Sequence, residues 1–216
     1  MTPTDRQKSV PVPPPVERSD WFRLAMQIEK NGWVSLALWL RRRSALTGEE
    51  MPYPYRGPLL APMWVMTILS ALEVVALDVL IPWTPGWTWL RVTLVVIGVW
   101  GVVFVLGMLA GVTVHPHALG PAGLRIRHGA TLEIAIPWDR VRSVRHEQRS
   151  WEGRSVDVDG PSLRIAVSKQ TNVHLRLDEP VEALLVREGR RMVSEIAFHT
   201  DDVRGIVKAI RQRMGG

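Results

Sequence analysis

Two stretches decide the fold: Leu59–Ile81 (LLAPMWVMTILSALEVVALDVLI) and Thr88–Ala110 (TWLRVTLVVIGVWGVVFVLGMLA). Each is 23 residues of almost uncharged sequence, and a helix of about 20 apolar residues crosses the hydrocarbon core of a bilayer. Only Pro82-Trp-Thr-Pro-Gly-Trp87 separates them. The pair therefore reads as a transmembrane hairpin, residues 58–111, that returns the chain to the side it started from. The segments on either side of the hairpin then share one face of the membrane.

The flanks orient the hairpin. Arg41, Arg42, Arg43 and Arg56 precede the first span, and Arg125 and Arg127 come after the second. The connecting loop has no basic residue; the nearest, Arg91, is inside the second span. Basic residues near span ends stay cytoplasmic, so the sequence predicts a two-span plasma-membrane protein with both termini inside. Trp83, Trp87 and Trp89 cluster at the outer end, as an interfacial aromatic belt does. The formal charge of +6 divides as +3 for residues 1–58, −1 for 59–110 and +4 for 111–216. Basic cytoplasmic parts account for it without a nucleic-acid partner. The absence of cysteine excludes disulfides and thiolate metal sites.

Three ionisable residues fall within the spans: Glu73, Asp78 and Arg91. Charge in lipid is costly unless paired. With the hairpin folded about Pro85, Asp78 and Arg91 come to similar depth and should form a salt bridge. Glu73 has no partner at its depth. It reads either as a proton, ion or subunit contact, or as a protonated acid bonded within the hairpin. Gly107-Met-Leu-Ala-Gly111 is a small-xxx-small pattern, which allows close helix approach within the hairpin or in a dimer.

Residues 1–19, with Pro11-Val-Pro-Pro-Pro15, read as extended and disordered, and no secretory signal is visible. Asp20–Leu46 reads as helical, with Trp21, Leu24, Ala25, Ile28, Gly32, Leu36 and Trp39 at three- and four-residue steps and a possible break at Asn31-Gly32. Trp33, Trp39 and the Arg41–Arg43 cluster suit a helix in the headgroup region, with the arginines toward anionic lipid. The alternative packs it on the cytoplasmic domain. Thr47–Gly57 links it to the first span, so residues 20–57 form one helix-and-linker segment.

From Val112 to the end, residues 112–216, the hydrophobic period changes to two. Val112–Val114, Leu124–Arg127, Leu132–Ile136, Leu163–Val167, Val173–Leu177 and Ile196–Phe198 read as strands, with Gly120–Gly123 and His128-Gly129 as turns. Asp178-Glu179 before Pro180 reads as another turn. The chain closes with an amphipathic helix. Thr200 is its expected N-cap, Asp201 and Asp202 suit the positive helix start, and Val203, Ile206, Val207, Ile210 and Met214 line its apolar face. The expected fold is an antiparallel β-barrel or sandwich of about seven strands plugged by a terminal helix, an α+β domain behind an α-helical hairpin.

The phrases Gly123-Leu-Arg-Ile-Arg127, Ile136-Pro-Trp-Asp-Arg-Val-Arg-Ser-Val144 and Val193–Ala197 leading into Phe198-His-Thr-Asp-Asp-Val203 resemble the bacterial PH-like domain membrane proteins. The resemblance spans roughly residues 59–214. It implies a two-helix hairpin followed by a cytoplasmic PH-like domain. It carries no agreed ligand, so no binding residues transfer with it.

Little else points to chemistry. His115 and His117, one residue apart, would share a strand face and could ligate a metal, but no third or fourth ligand is evident and no metal site is assigned. His128, His146, His174 and His199 are scattered and read as surface residues. Arg125 and Arg127 share a strand face, followed by Arg140, Arg142, Arg145 and Arg149. Beside a membrane such a face attracts anionic headgroups, unless Glu133, Asp139 and Glu147 neutralise it. No phosphate-binding glycine loop, hydrolase constellation or cofactor motif is present. The sequence therefore points to a non-catalytic membrane protein whose cytoplasmic domain binds a protein partner or scaffolds. Its partners would be membrane lipids and either another protein or further copies of itself. The alternatives are an oligomeric transporter or channel using Glu73, and headgroup recognition by the Arg125/Arg127 face.

Overall fold

The computed structural model describes residues 18–46, 48–81, 85–185 and 189–215. The proline-rich segment 1–17 and loop residues 82–84 lie outside it, as do the side chains of Trp21, Leu24, Ala25 and Ile28. Helix α1 spans Arg18–Leu40, strand β1 Met51–Tyr53, and helices α2 and α3 Gly57–Leu80 and Thr88–Val114. The β-rich part comes next: β2 His117–Leu119, β3 Gly123–His128, β4 Leu132–Pro137, β5 Val141–Ser150, β6 Val156–Asp159, β7 Ser162–Ile165, β8 Gln170–Leu185 and β9 Gly189–Phe198, closed by α4, Val203–Met214.

Helices α2 and α3, 24 and 27 residues long, are both long and apolar enough to cross a bilayer. Most of their large side chains face outward: Leu69, Leu72, Val79, Val96 and Ile97 are all more than half exposed. They pack closely where Gly98 meets Val74, whose side chain a Cβ on residue 98 would strike. Near the turn between them Arg91 donates to Asp78 Oδ1 through Nε at 2.7 Å and Nη2 at 2.5 Å. Arg91 is buried, while the Asp78 side chain is 44% exposed.

Several elements differ from the sequence expectation. Val112–Val114 is not a strand: α3 continues through Val114. β-Branched residues favour strands only weakly, and here they extend a helix already formed and packed. Helix α1 is unbroken at Asn31-Gly32 and ends at Leu40, before the arginine cluster. The Gly32 backbone lies about 3.5 Å from where a Cβ of Gly107 would stand, and the Ser35 hydroxyl sits over Gly111. The Gly107–Gly111 pattern thus seats α1 on α3. Asn31 Nδ2 also donates to Ala130 O at 2.7 Å in the β3–β4 turn, so α1 touches both α3 and the β domain.

The β domain has two sheets, of order β1-β2-β3-β4 and β5-β8-β9-β7-β6. Strand β1 comes from the stretch read as a linker, with Tyr53 opposite His117. The sheets are not wholly antiparallel, because β7 runs parallel to β9. The β8–β9 hairpin folds back into the gap between β7 and β8, and a strand laid there must run parallel to β7. Asp178-Glu179-Pro180 does not end a strand. It forms an irregularity inside β8 between Arg176 and Val181, where a proline without an N–H is tolerated. Leu124, Ile126, Ile134, Ile136, Leu163, Leu175, Ile196 and Phe198 form one core between the sheets, and Ile206, Val207 and Ile210 of α4 close it. Of the expected helix face, Val203 is half-buried and Met214 is exposed. The N-cap is Asp202, which accepts from the Gly205 amide at 2.8 Å, not Thr200.

Replacing Asp78 with Asn takes the carboxylate from a buried arginine. Charge-assisted hydrogen bonds contribute about 2 kcal/mol, so D78N should lower stability in detergent by that order. Removing both partners (D78N/R91Q) should restore part of the loss. Thermal unfolding of the three proteins in one detergent checks this, and equal midpoints for D78N and the parent would contradict it.

Candidate functional site

The most organised polar cluster lies where the β domain meets the helices. It begins with the chain before α2. Tyr55 is fully buried, its ring stacked on His117 at 4.7 Å and facing His128 at 6.2 Å. Its hydroxyl accepts a 2.6 Å bond from the Gly129 amide. Burial pushes the Tyr55 phenol up to about 12, so it stays protonated.

His117 sits beneath it, 1% exposed, edge-on to Phe198. Its Nδ1 accepts from the Arg127 backbone amide at 3.1 Å, which leaves Nε2 to donate to His199 O at 2.8 Å. Both nitrogens are thus used by the neutral ring, and burial pushes its pKa down to about 4. His128 and His199 are also lowered, chiefly by burial, and the Nδ1 of each is buried without a hydrogen-bond partner in the protein. His115 caps the end of α3, its Nδ1 3.1 Å from Gly111 O. His115 and His117 therefore share no strand face. His128 and His199, read as surface residues, gather round Tyr55 and His117. Among the described residues no group of three His, Asp or Glu is placed to hold a metal ion.

Arg125 and Arg127 are turned into the same joint. Arg127, with its side chain 3% exposed, donates from Nε to Glu133 at 3.1 Å and from Nη1 to Ala45 O at 3.3 Å. Arg125 pairs with Glu50 at 3.2 Å and Glu133 at 3.6 Å. They tie the chain before α2 to β3 and β4. Arg41, Arg42 and Arg43 are exposed, just before Ala45 donates its amide to Val114 O at the end of α3. Glu73 is exposed on α2.

A second set of bonds reaches the β9–α4 corner. The Gly57 amide, first in α2, donates to both carboxylate oxygens of Asp201 at 3.1 and 3.0 Å. Pro54 O accepts from the Asp201 amide at 2.8 Å and from the Thr200 hydroxyl at 3.1 Å. Asn172 in turn brackets Thr200 through its amide and carbonyl. Beside the joint, an apolar cleft of about 190 Å³ is lined by Trp33, Trp100, Phe104, Gly107 and His128.

Sequence reasoning missed Tyr55 and Glu50, and read Asp201 only as an acid suited to the start of the terminal helix. One signal was available: Met51-Pro-Tyr-Pro-Tyr55 alternates, with prolines at every second position, which suits an edge strand. Chemically, the joint holds neutral rings and internally compensated ions, and it works as a fastening. Compared with family models, with curated proteins and with solved structures, the chain finds no match.

The histidines give the joint a pH dependence. His117 has a folded pKa below its unfolded value, so the folded state resists protonation. Stability is complete above about pH 6.5 and falls as pH drops toward 4, by about 3 kcal/mol in all. His128 and His199 add in the same direction. Denaturant unfolding followed by tryptophan fluorescence should show this slope between pH 6.5 and 5, and His117→Gln should flatten it. An identical slope in the variant would contradict the assignment.

Proposed function

We propose that this chain is an integral plasma-membrane protein whose hairpin spans the bilayer twice, with both termini cytoplasmic, and whose β domain is a PH-like, non-catalytic module that binds a protein partner or scaffolds one. The carrying observation is the joint. A domain fastened to the start of α2 through Gly57 and Asp201, and seated by Asn31 and Ala130 beside α3, stands at a set height and orientation over the membrane. A recruiting surface gains from that because its partner meets it pre-oriented. The outward-facing apolar side chains of α2 and α3 support insertion, and the exposed Arg41–Arg43 cluster beside the end of α3 suits contact with anionic headgroups. The sequence phrases, the two sheets and the terminal helix support the PH-like assignment; the parallel β7–β9 pair is a departure from it.

A second reading rests on Glu73. An acid exposed on a span favours contact with another copy, in an oligomer that conducts or transports. Native mass spectrometry in detergent should then give an oligomer that Glu73→Gln dissociates; a monomer ends this reading.

The cysteine-free chain makes topology testable with single cysteines at Gly86 and Gln148. Both sites are exposed, and a side chain at residue 86 would meet nothing within 4 Å. A membrane-impermeant maleimide should label residue 86 in intact cells and residue 148 only after permeabilisation. The reverse pattern overturns the orientation. Photo-crosslinkers on the β-domain surface of the full chain should capture a discrete protein partner; capture of lipid alone would overturn the module reading.

A further inference from the structure

Most arginines of the β domain are matched by acids. Arg140 faces Glu179, Arg142 Asp178, Arg149 Glu147, Arg164 Asp159 and Arg176 Glu195. Helix α4 differs. After Asp202 it contains no acid, and Arg204, Lys208 and Arg211 recur at four- and three-residue steps, forming one exposed stripe about 10 Å long. Among the described residues no ion pair joins these three to a carboxylate; Arg211 only donates to Val144 O, at 3.4 Å. The stripe forms one wall of a shallow groove of about 570 Å³, floored by Val203 and Val207 and bounded by His146 of β5. Strand β5 is the end strand of its sheet, so among the described residues the backbone on its outer side has no strand partner.

We infer that this groove takes an extended, acidic segment of a partner protein, laid between β5 and α4. The inference rests on the module reading above and names its binding surface. Acidic side chains on alternate residues of an extended segment stand about 7 Å apart on one face, close to the one-turn spacing of Arg204 and Lys208. The apolar floor receives side chains of the opposite kind, and the unpaired edge suits backbone addition.

The direction of the groove favours a peptide over a lipid surface. Helix α4 starts at the joint, next to Asp201 and Gly57. The β3–β4 turn also lies at the joint, and β4 carries the chain about 17 Å away from it before β5 begins. The short turn at Trp138–Arg140, beyond that far end, packs against α4. The groove therefore runs away from the membrane, and a headgroup layer would meet only its Arg204 end.

The test uses the full chain in zwitterionic nanodiscs and a fluorescein-labelled peptide of alternating Glu and Val. Anisotropy should report binding that weakens as salt rises. The double variant Arg204→Glu/Lys208→Glu, which leaves the Arg211 bond in place, should bind at least about tenfold more weakly. Arg204→Lys should bind as the parent does, and a Lys–Val peptide should not bind. An unchanged thermal midpoint shows that the double variant is folded; if it is not, the single variants Arg204→Gln and Lys208→Gln carry the comparison. Equal binding by parent and variants, or no binding by the parent, overturns the inference. So does a charge-reversal effect seen only with phosphatidylglycerol vesicles, which would make the stripe a headgroup contact. If partner crosslinks in cells persist in the charge-reversed chain, the groove is wrong and the module reading stands. If the parent itself yields no protein crosslinks, the module reading is what fails.

Discussion

The first amide of α2 is held by a carboxylate from the far end of the chain, and the placement of the β domain depends on that contact. Gly57 N–H donates to Asp201 from 144 residues away. The start of a helix carries unsatisfied donors and partial positive charge, so a carboxylate is stabilised there. The approach is close: a Cβ on residue 57 would come to 2.9 Å from Asp201 Oδ1, so the site suits glycine. Pro58, next in the first turn, needs no donor of its own. Pro54 and Thr200 add two neutral bonds, and Tyr55 fills the space between two imidazoles. Each contact is modest, but together they turn a linker into a part of the β domain.

The electrostatics obey the same division. At the joint, cations are turned inward and compensated, as with Arg127 on Glu133 and Arg125 on Glu50. His117 is held neutral by burial and by two hydrogen bonds that only the neutral ring can make together. Such groups give the joint geometry and leave it little free charge with which to recognise anything. Among the described residues, Arg204, Lys208 and Arg211 share one face of α4 with no ion pair to a carboxylate. Fastening and recognition thus draw on the same residue types, arginine and histidine, in opposite states of burial.

Much of the architecture was legible in the sequence because its signals are long and repetitive. The two spans are continuous apolar runs, the strands alternate, and α4 repeats at helical spacing. The errors fall where short-range preference met a tertiary contact. Val112–Val114 looks like a strand but continues a helix packed at Gly107 and Gly111. Met51–Tyr55, rich in proline, looks like a linker but pairs with β2. The parallel β7–β9 pairing has no local signature, since it arises from where the β8–β9 hairpin is folded back. The histidines looked dispersed because residues 117, 128 and 199 are brought together only by the sheets. Asp78 and Arg91 were legible, since a hairpin maps distance from the turn onto depth.

The chain before α2 and the β domain thus form one fastened unit, and hydrogen-exchange mass spectrometry on the full chain in nanodiscs is the decisive test. It is read at the amides of Gly57, Gly129 and Asp201. Their acceptors are the Asp201 carboxylate, the Tyr55 hydroxyl and Pro54 O. In a fastened unit these amides show protection approaching that of the core strands β8 and β9, with Tyr55→Phe releasing Gly129. Exchange at them as fast as in the exposed loop at residues 152–155 would contradict it.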